Sequence, residues 1–289
     1  MRMDQNGLCR QEENLYEGDN LYDLNGKIAL ITGSTSGIGR EISAALIREG
    51  ALVHGIGRRI ERHEENVRYM GKNYTYTAID LLQKDSITAI LNDVKTLYGR
   101  LDILVNNAGI YKVATFQNHS PEDIDKILNL NLTIPIQIYR AVLDLNIPEQ
   151  ALWIASRAGL GHYPYESVYE TAKHGLKSFV LSVAQESKYP RHVVVYPGFV
   201  LTELTGQLDN LPDDIKNELK EELAIKDAGV IVQPVVRMLK STSDQVHISF
   251  IPNEEGVHMH LLKPVQEELR DFVIEKSELL TKEVIPLLR

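Results

Sequence analysis

Residues 28–39 read IALITGSTSGIG, and this stretch decides the fold. The apolar run at 28–31 predicts a short buried strand. Three glycines then follow with the spacing G-x-x-x-G-x-G, at Gly33, Gly37 and Gly39, and apolar residues at helical spacing come directly after them. A strand, a glycine-rich turn and a helix form the context of a dinucleotide-binding site. The glycines let the backbone approach a pyrophosphate, and the helix N-terminus offers free N–H groups to it.

The alternation of strand and helix continues along the chain. Further strands are predicted at the apolar runs 51–56, 74–81, 101–105, 151–155, 192–196 and 246–251. Helices are predicted between them, including 84–98 and 121–143. Alternating strands and helices favour parallel pairing through right-handed crossovers. The predicted fold class is therefore α/β, a Rossmann-type doubly wound parallel sheet in a three-layer αβα arrangement.

The pattern predicts one domain with an extension at each end. Residues 1–22 are polar and aperiodic, which is typical of a flexible extension. Residues 23–260 form the single predicted Rossmann domain. Apolar residues recur at helical spacing in 261–289, which we interpret as a C-terminal helical extension.

Composition narrows the function classes. The formal net charge of −9 argues against a nucleic-acid binder and against docking to an anionic membrane surface. Cys9 is the only cysteine, so no internal disulfide can form, and no Cys/His pattern with zinc spacing occurs. No apolar run is long enough for a membrane span, and the N-terminus lacks the apolar core of a signal peptide. We expect a cytoplasmic protein with no metal site.

The end of the second predicted strand bears on coenzyme choice. In dinucleotide-binding folds this point meets the adenosine ribose, and an acidic residue there favours NAD. Here Gly57 carries no carboxylate, and Arg58 and Arg59 follow it. Because arginine pairs with a 2′-phosphate, the sequence favours NADP(H), with NAD(H) the less favoured coenzyme. The alternative is that one or both arginines are solvated surface charges.

A tyrosine and a lysine four residues apart suggest acid–base chemistry. Tyr169 and Lys173, in the segment YETAK, share one face of a predicted helix. A neighbouring cation lowers the pKa of a phenol from about 10 towards the working range of a general acid–base. Ser156 follows the run 151–155, at the carboxyl end of a strand, where open α/β sheets bind ligands. Taken alone, the tyrosine–lysine spacing is equally explained by a surface pair.

Four motifs in this order resemble those of the short-chain dehydrogenase/reductase family in its compact single-domain form. They are TGSTSGIG at 32–39, NNAG at 106–109, Ser156 with YETAK at 169–173, and PG at 197–198. The resemblance implies hydride transfer between a nicotinamide and a carbonyl or secondary alcohol. It makes Tyr169 the acid–base residue and Lys173 the cation that lowers its pKa and contacts the nicotinamide ribose. Ser156 would orient the substrate oxygen, and Asn131 matches the asparagine that holds a water in a proton relay.

The resemblance also assigns the coenzyme-binding residues. They are Gly33, Thr35, Ser36, Gly37, Ile38, Gly39, Arg58, Arg59, Asp80, Leu81, Asn107, Ala108, Gly109, Tyr169, Lys173, Pro197, Gly198, Val200 and Thr202. The predicted substrate contacts are Ser156, Tyr169 and Tyr163. Ser36 stands where many NADP-dependent members have a basic residue, so Arg58 carries most of the coenzyme prediction.

Assembly and two other functions stay open at this point. The resemblance implies a small-molecule carbonyl or alcohol substrate and a homodimer or homotetramer. HISFIP at 247–252 replaces the family's usual ending, which leaves open the tetramer contacts that this ending makes. The alternatives are a dehydratase or epimerase that uses the coenzyme transiently, and a non-catalytic NADP(H)-binding sensor on the same scaffold.

Overall fold

The computed structural model of the chain describes residues 21–186, 189–198, 200–201, 226–241, 247–250 and 258–261. Almost all of the predicted N-terminal extension, nearly all of the predicted C-terminal extension, and Thr202 lie outside these residues. Tyr22, at the end of the predicted N-terminal extension, donates its backbone N–H to the Lys240 carbonyl at 2.8 Å. The division into one domain with two extensions stays a prediction.

The described strands are β1 Ile28–Thr32, β2 Leu52–Gly57, β3 Tyr74–Ala78, β4 Ile103–Asn106, β5 Gln150–Ile154, β6 Arg191–Tyr196, β7 Val200–Leu201, β8 Lys226–Asp227, β9 His247–Phe250 and β10 His258–Leu261. Eight of them form one sheet in the order β10-β9-β6-β5-β4-β1-β2-β3, and β7 pairs with β8. In the main sheet the pairs from β3 through β9 are parallel, and β10 is antiparallel to β9. The predicted parallel sheet is confirmed, while the antiparallel edge strand was not predicted.

The described helices are α1 Gly37–Arg48, α2 Ile60–Met70, α3 Ser86–Tyr98, α4 Pro121–Leu128, α5 Ile134–Leu145, α6 Ser167–Glu186 and α7 Ala228–Lys240. Successive side chains of a strand point to opposite faces of its sheet. In β1, Ala29 and Ile31 therefore join a cluster with α1 and α7, whereas Ile28 and Leu30 join one with α3, α5 and α6. Two cores on opposite faces of the sheet produce the predicted three layers. None of the described helices combines the length and apolar character needed to cross a bilayer.

The chain enters the sheet at an interior strand, β1, and later strands are added first on one side of β1 and then on the other. It passes from β1 outwards to β2 and β3, then returns to the other side of β1 as β4. Ligands of doubly wound sheets bind beyond the carboxyl ends of the strands at such a reversal. The glycine-rich turn after β1 and the residues after β4 lie at this point.

The predicted helix 121–143 is interrupted. It begins with a capping box in which Ser120 and Asp123 bond each other's backbone N–H groups. After α4 the five residues Asn129–Thr133 form a π-helical turn, and α5 follows. The wider turn contains Asn131 and changes the register that a regular period would give. Such turns occur frequently at functional sites.

Candidate active site

A cavity of about 820 Å³ lies at the carboxyl ends of β1, β2, β4 and β5. Its wall contains every predicted catalytic and substrate residue, and all but three of the predicted coenzyme residues. The exceptions are Gly39, which packs behind the wall, Val200, whose backbone pairs with Lys226, and Thr202, which lies outside the described residues. The volume is within the range of small-molecule and cofactor sites.

The glycine-rich turn forms one wall of this cavity. Gly33 has a φ of +67°, and an added Cβ there would come within 2.8 Å of the Asn107 amide nitrogen. That nitrogen donates to the Thr32 carbonyl at 2.9 Å and so ties the turn to the residues after β4. The first turn of α1 begins at Gly37 and contains no acidic residue. A close backbone and a free helix N-terminus fit the pyrophosphate of a dinucleotide.

Two arginines stand at the end of the cavity beside β2. The Arg59 guanidinium donates to the Ser36 hydroxyl at 2.9 Å and to the Thr35 hydroxyl at 3.2 Å. The Arg58 guanidinium lies 3.5 Å from the Asp80 carboxylate, with 69% of its side chain exposed. Arg59 therefore places a cation beside Ser36, which itself lacks the expected charge.

A buried hydrogen-bonded network supports this end of the site. The Tyr74 hydroxyl is bonded by His63 at 2.8 Å and by Ser34 at 2.9 Å, and Asn66 donates to the Ser34 carbonyl at 3.0 Å. Burial lowers the pKa of His63, so the network is uncharged at neutral pH. It fixes the glycine-rich turn to β3 and α2, and pattern reasoning did not find it.

Ser156, Tyr169 and Lys173 come together at the other end of the cavity. Ser156 lies just after β5, where its hydroxyl accepts the Ala158 N–H at 3.1 Å. The Lys173 ammonium donates to the Ile154 carbonyl at 3.1 Å and lies 5.5 Å from the centre of the Tyr169 ring. Both α6 side chains are buried. The structure therefore places all three predicted residues in one wall.

The pKa values differ from the sequence-based prediction. Burial raises the pKa of Tyr169 to about 12. The hydrogen bond with Ser156 lowers this pKa in part, and the charge of Glu166 raises it further. Burial also lowers the pKa of Lys173 to about 8. The expected lowering of the Tyr169 pKa by Lys173 was therefore wrong for the protein by itself, because water is withdrawn from both groups.

Asn131 is held by its own backbone surroundings. Its amide nitrogen donates to the carbonyls of Ile110 at 2.8 Å and Ile127 at 2.9 Å. Its amide oxygen is buried and has no hydrogen-bond donor among the described residues. An added Cβ at Gly109 would lie 2.5 Å from this oxygen and 3.9 Å from the Lys173 ammonium. Asn131 and Lys173 thus approach the same face of Gly109, and the orphaned oxygen fits a site that is completed by a bound polar group.

The sequence profile of the short-chain dehydrogenases matches residues 27–212. The chain belongs to the short-chain dehydrogenase family. It is an oxidoreductase of the kind that acts on CH–OH or carbonyl groups with NAD(P). The family assignment predicted from the four motifs is confirmed.

Similar proteins agree with this assignment. The chain is 33% identical over 228 residues to the 3-oxoacyl-(acyl-carrier-protein) reductase FabG of Haemophilus influenzae, covering 72% of this chain and 94% of that protein. It is 37% identical over 230 residues to the D-beta-hydroxybutyrate dehydrogenase of Cupriavidus necator, covering 73% and 87%. A crystal structure of a short-chain dehydrogenase/reductase from Mycobacterium marinum aligns with a TM-score of 0.68 at 24% identity, covering 77% and 91%. This last similarity supports the fold.

The cavity also contains side chains that the sequence did not single out. Arg157 and Glu166 line its wall beside Tyr163 and Tyr111. The Arg157 guanidinium lies 5.0 Å from the Tyr163 ring centre, and the Tyr111 hydroxyl donates to the Glu166 carboxylate at 2.6 Å. Glu166 sits one residue before α6, three before Tyr169, and only that spacing could have pointed to it.

Proposed function

We propose that the protein is an NADP(H)-dependent oxidoreductase that transfers a hydride between the nicotinamide and a carbonyl or secondary alcohol substrate. The observation that carries this proposal is one cavity with Arg58 and Arg59 at one end and Ser156, Tyr169 and Lys173 at the other. A dinucleotide is long, so its ribose phosphate and its nicotinamide would occupy opposite ends of one groove. Bound coenzyme would supply the hydride.

The side chains divide the remaining work. Tyr169 keeps its proton at neutral pH because its pKa is raised, so it is ready to protonate a substrate oxygen during carbonyl reduction. Ser156 holds that oxygen beside the phenol. Lys173 carries a positive charge below about pH 8 and stabilises the phenolate that is left after proton transfer. The amide oxygen of Asn131 faces the same region, where it can accept a hydrogen bond from a bound group.

Coenzyme preference follows from the two arginines. Because charge-assisted hydrogen bonds to a 2′-phosphate are lost, Arg59→Ala is expected to raise the Kd for NADPH by about 10- to 100-fold. The Kd for NADH is expected to change less than about threefold, since NADH lacks that phosphate. Fluorescence titration of both coenzymes with Arg58→Ala, Arg59→Ala and the double variant checks this.

Arg68→Ala provides the control, because it removes the same charge from the last turn of α2, outside the cavity. Equal weakening of NADPH and NADH binding in the arginine variants would contradict the preference for NADP(H).

The reaction is tested by following NADPH absorbance over a panel of ketones, aldehydes and quinones, with products quantified in parallel. One NADPH consumed per carbonyl reduced supports the proposal. Product formation without net NADPH consumption would instead identify a dehydratase or epimerase. Tight NADPH binding without turnover across the panel would favour a sensor.

Location and assembly complete the proposal. A cytoplasmic site agrees with the single cysteine of the sequence, because disulfides are rare in reducing compartments. A homodimer or homotetramer agrees with the finding that short-chain dehydrogenases are commonly oligomeric. Light scattering of the purified protein measures the assembly, and a monomer at micromolar concentration would overturn it.

A further inference from the structure

A tyrosine and a carboxylate flank the predicted acid–base residue. The Tyr111 hydroxyl donates to the Glu166 carboxylate at 2.6 Å. The Tyr111 ring packs edge-on against the Tyr169 ring, with 4.9 Å between the ring centres and 73° between the planes. Both residues line the cavity at the Ser156 end. We call these two residues the Tyr111–Glu166 pair.

The position of Glu166 in the chain does not by itself indicate a ligand. An acidic residue just before a helix is favoured by the helix dipole, and Glu166 directly precedes α6. Its carboxylate, however, is bonded by a side chain from the loop after β4. That bond crosses 55 residues of sequence and holds the carboxylate in the cavity wall next to Tyr169.

The carboxylate retains capacity to accept hydrogen bonds. An ionised carboxylate offers about four acceptor positions. Among the described residues, Tyr111 is the one whose side chain donates to the Glu166 carboxylate, and Glu166 is half-buried. Remaining acceptor positions in a partly desolvated wall are best satisfied by a donor on the bound substrate.

Two cations lie in the same wall, and the charge of Arg157 partly opposes the increase that burial causes in the pKa of Glu166. The Arg157 guanidinium lies over the Tyr163 ring, and the Lys173 ammonium is bonded to the Ile154 carbonyl. The charged group that is hydrogen-bonded to the Tyr111 hydroxyl is the Glu166 carboxylate. A second carboxylate placed there would meet like charge, whereas a hydroxyl or ammonium group would meet an acceptor.

We propose that the Tyr111–Glu166 pair selects carbonyl substrates that carry a hydrogen-bond donor, a hydroxyl or ammonium group, close to the reacting carbon, and that it disfavours carboxylates at that place. This inference rests on the proposed function, because it names the substrate class for the same site. Glu166 is the residue that determines specificity, and Tyr111 positions it.

The test uses four methyl ketones of nearly equal size. Acetoacetate carries a carboxylate, and in the other three that group is replaced by hydroxymethyl, aminomethyl or ethyl. For the native enzyme, kcat/KM is expected to be at least about tenfold higher for the hydroxymethyl and aminomethyl ketones than for acetoacetate. Glu166→Gln is expected to reduce this ratio about tenfold or more, and Tyr111→Phe to reduce it less, because the carboxylate stays.

Glu64→Gln is the matched control, since it removes one carboxylate from the exposed side of α2 and should leave the ratio unchanged. Calorimetric binding of the four ketones to the NADPH complex of Tyr169→Phe repeats the comparison without turnover. An unchanged ratio in Glu166→Gln, a preference of the native enzyme for acetoacetate, or no binding of any donor-bearing ketone would overturn the inference. Turnover that survives Tyr169→Phe would overturn the proposed function instead.

Discussion

Replacing Tyr169 by phenylalanine is expected to lower kcat about a hundredfold to ten-thousandfold, the usual contribution of a general acid. The phenol is buried at 7% exposure and lines the cavity beside Ser156. Phenylalanine retains the ring and its contact with Tyr111 and removes only the proton that reduction requires. Stopped-flow or steady-state NADPH oxidation, run with the best substrate of the panel, measures the loss.

Two further measurements give this result its meaning. The Kd for NADPH should change by less than about threefold, because the hydroxyl contributes one hydrogen bond at most to binding. Tyr139→Phe is the matched control, since it removes a buried phenol that lies in the core beside His192 and outside the cavity. Turnover within about threefold of the native enzyme would exclude Tyr169 as the acid.

Much of the fold was predictable because its signals are local. Apolar runs at 28–31 and 151–155 form the buried strands β1 and β5. The glycine-rich turn is recognisable from its spacing alone, and the positive φ of Gly33 is a property of its own backbone. The face shared by Tyr169 and Lys173 follows from helical spacing. Short-range patterns of this kind do not depend on the rest of the molecule.

The parts of the site that the sequence did not reveal depend on distant contacts. Glu166 acquires its significance from Tyr111, and Arg59 acquires its position from Ser36, which is 23 residues away. No spacing rule links such residues. The π-helical turn at Asn129–Thr133 was missed for another reason, because its residues NLNLT include no glycine or proline that would mark a break, and helices continue on both sides.

The pKa values show why motif chemistry and structural chemistry diverge. A lysine four residues from a tyrosine favours the phenolate when both are in water. Here both side chains are buried, so the charged form of each is disfavoured, and the pKa of Tyr169 rises while that of Lys173 falls. The sequence identified the two partners but not their burial, which arises from the packing of α6 on α4 and on the turn after Ser156.

Replacing Lys173 by methionine is expected to make the protein more stable and nearly inactive. The pKa of Lys173 falls from 10.5 to about 8, which corresponds to a cost of about 3 kcal/mol for keeping the buried ammonium at neutral pH. Methionine removes this cost, while the lost hydrogen bond to Ile154 offsets about 1 to 2 kcal/mol of the gain. The free energy of unfolding at pH 7 should therefore rise by about 1 to 2 kcal/mol. NADPH oxidation should fall about a hundredfold or more, because phenolate stabilisation is lost.

The pH dependence of this gain follows from the sign of the shift. Since the pKa of Lys173 is lower in the folded than in the unfolded chain, its cost is fully present below about pH 8 and declines between about pH 8 and 10.5. Urea unfolding of both proteins at pH 7 and pH 10 should therefore show a stability gain that shrinks at the higher pH.

Lys177→Met, one turn further along α6, should show no such dependence, because that lysine is only partly buried. A loss of stability at pH 7, or a gain that is equal at both pH values, would mean that the buried ammonium is not the source of the cost. The pKa of Lys173 would then be close to its ordinary value, and this lysine would be charged throughout the pH range in which the enzyme works.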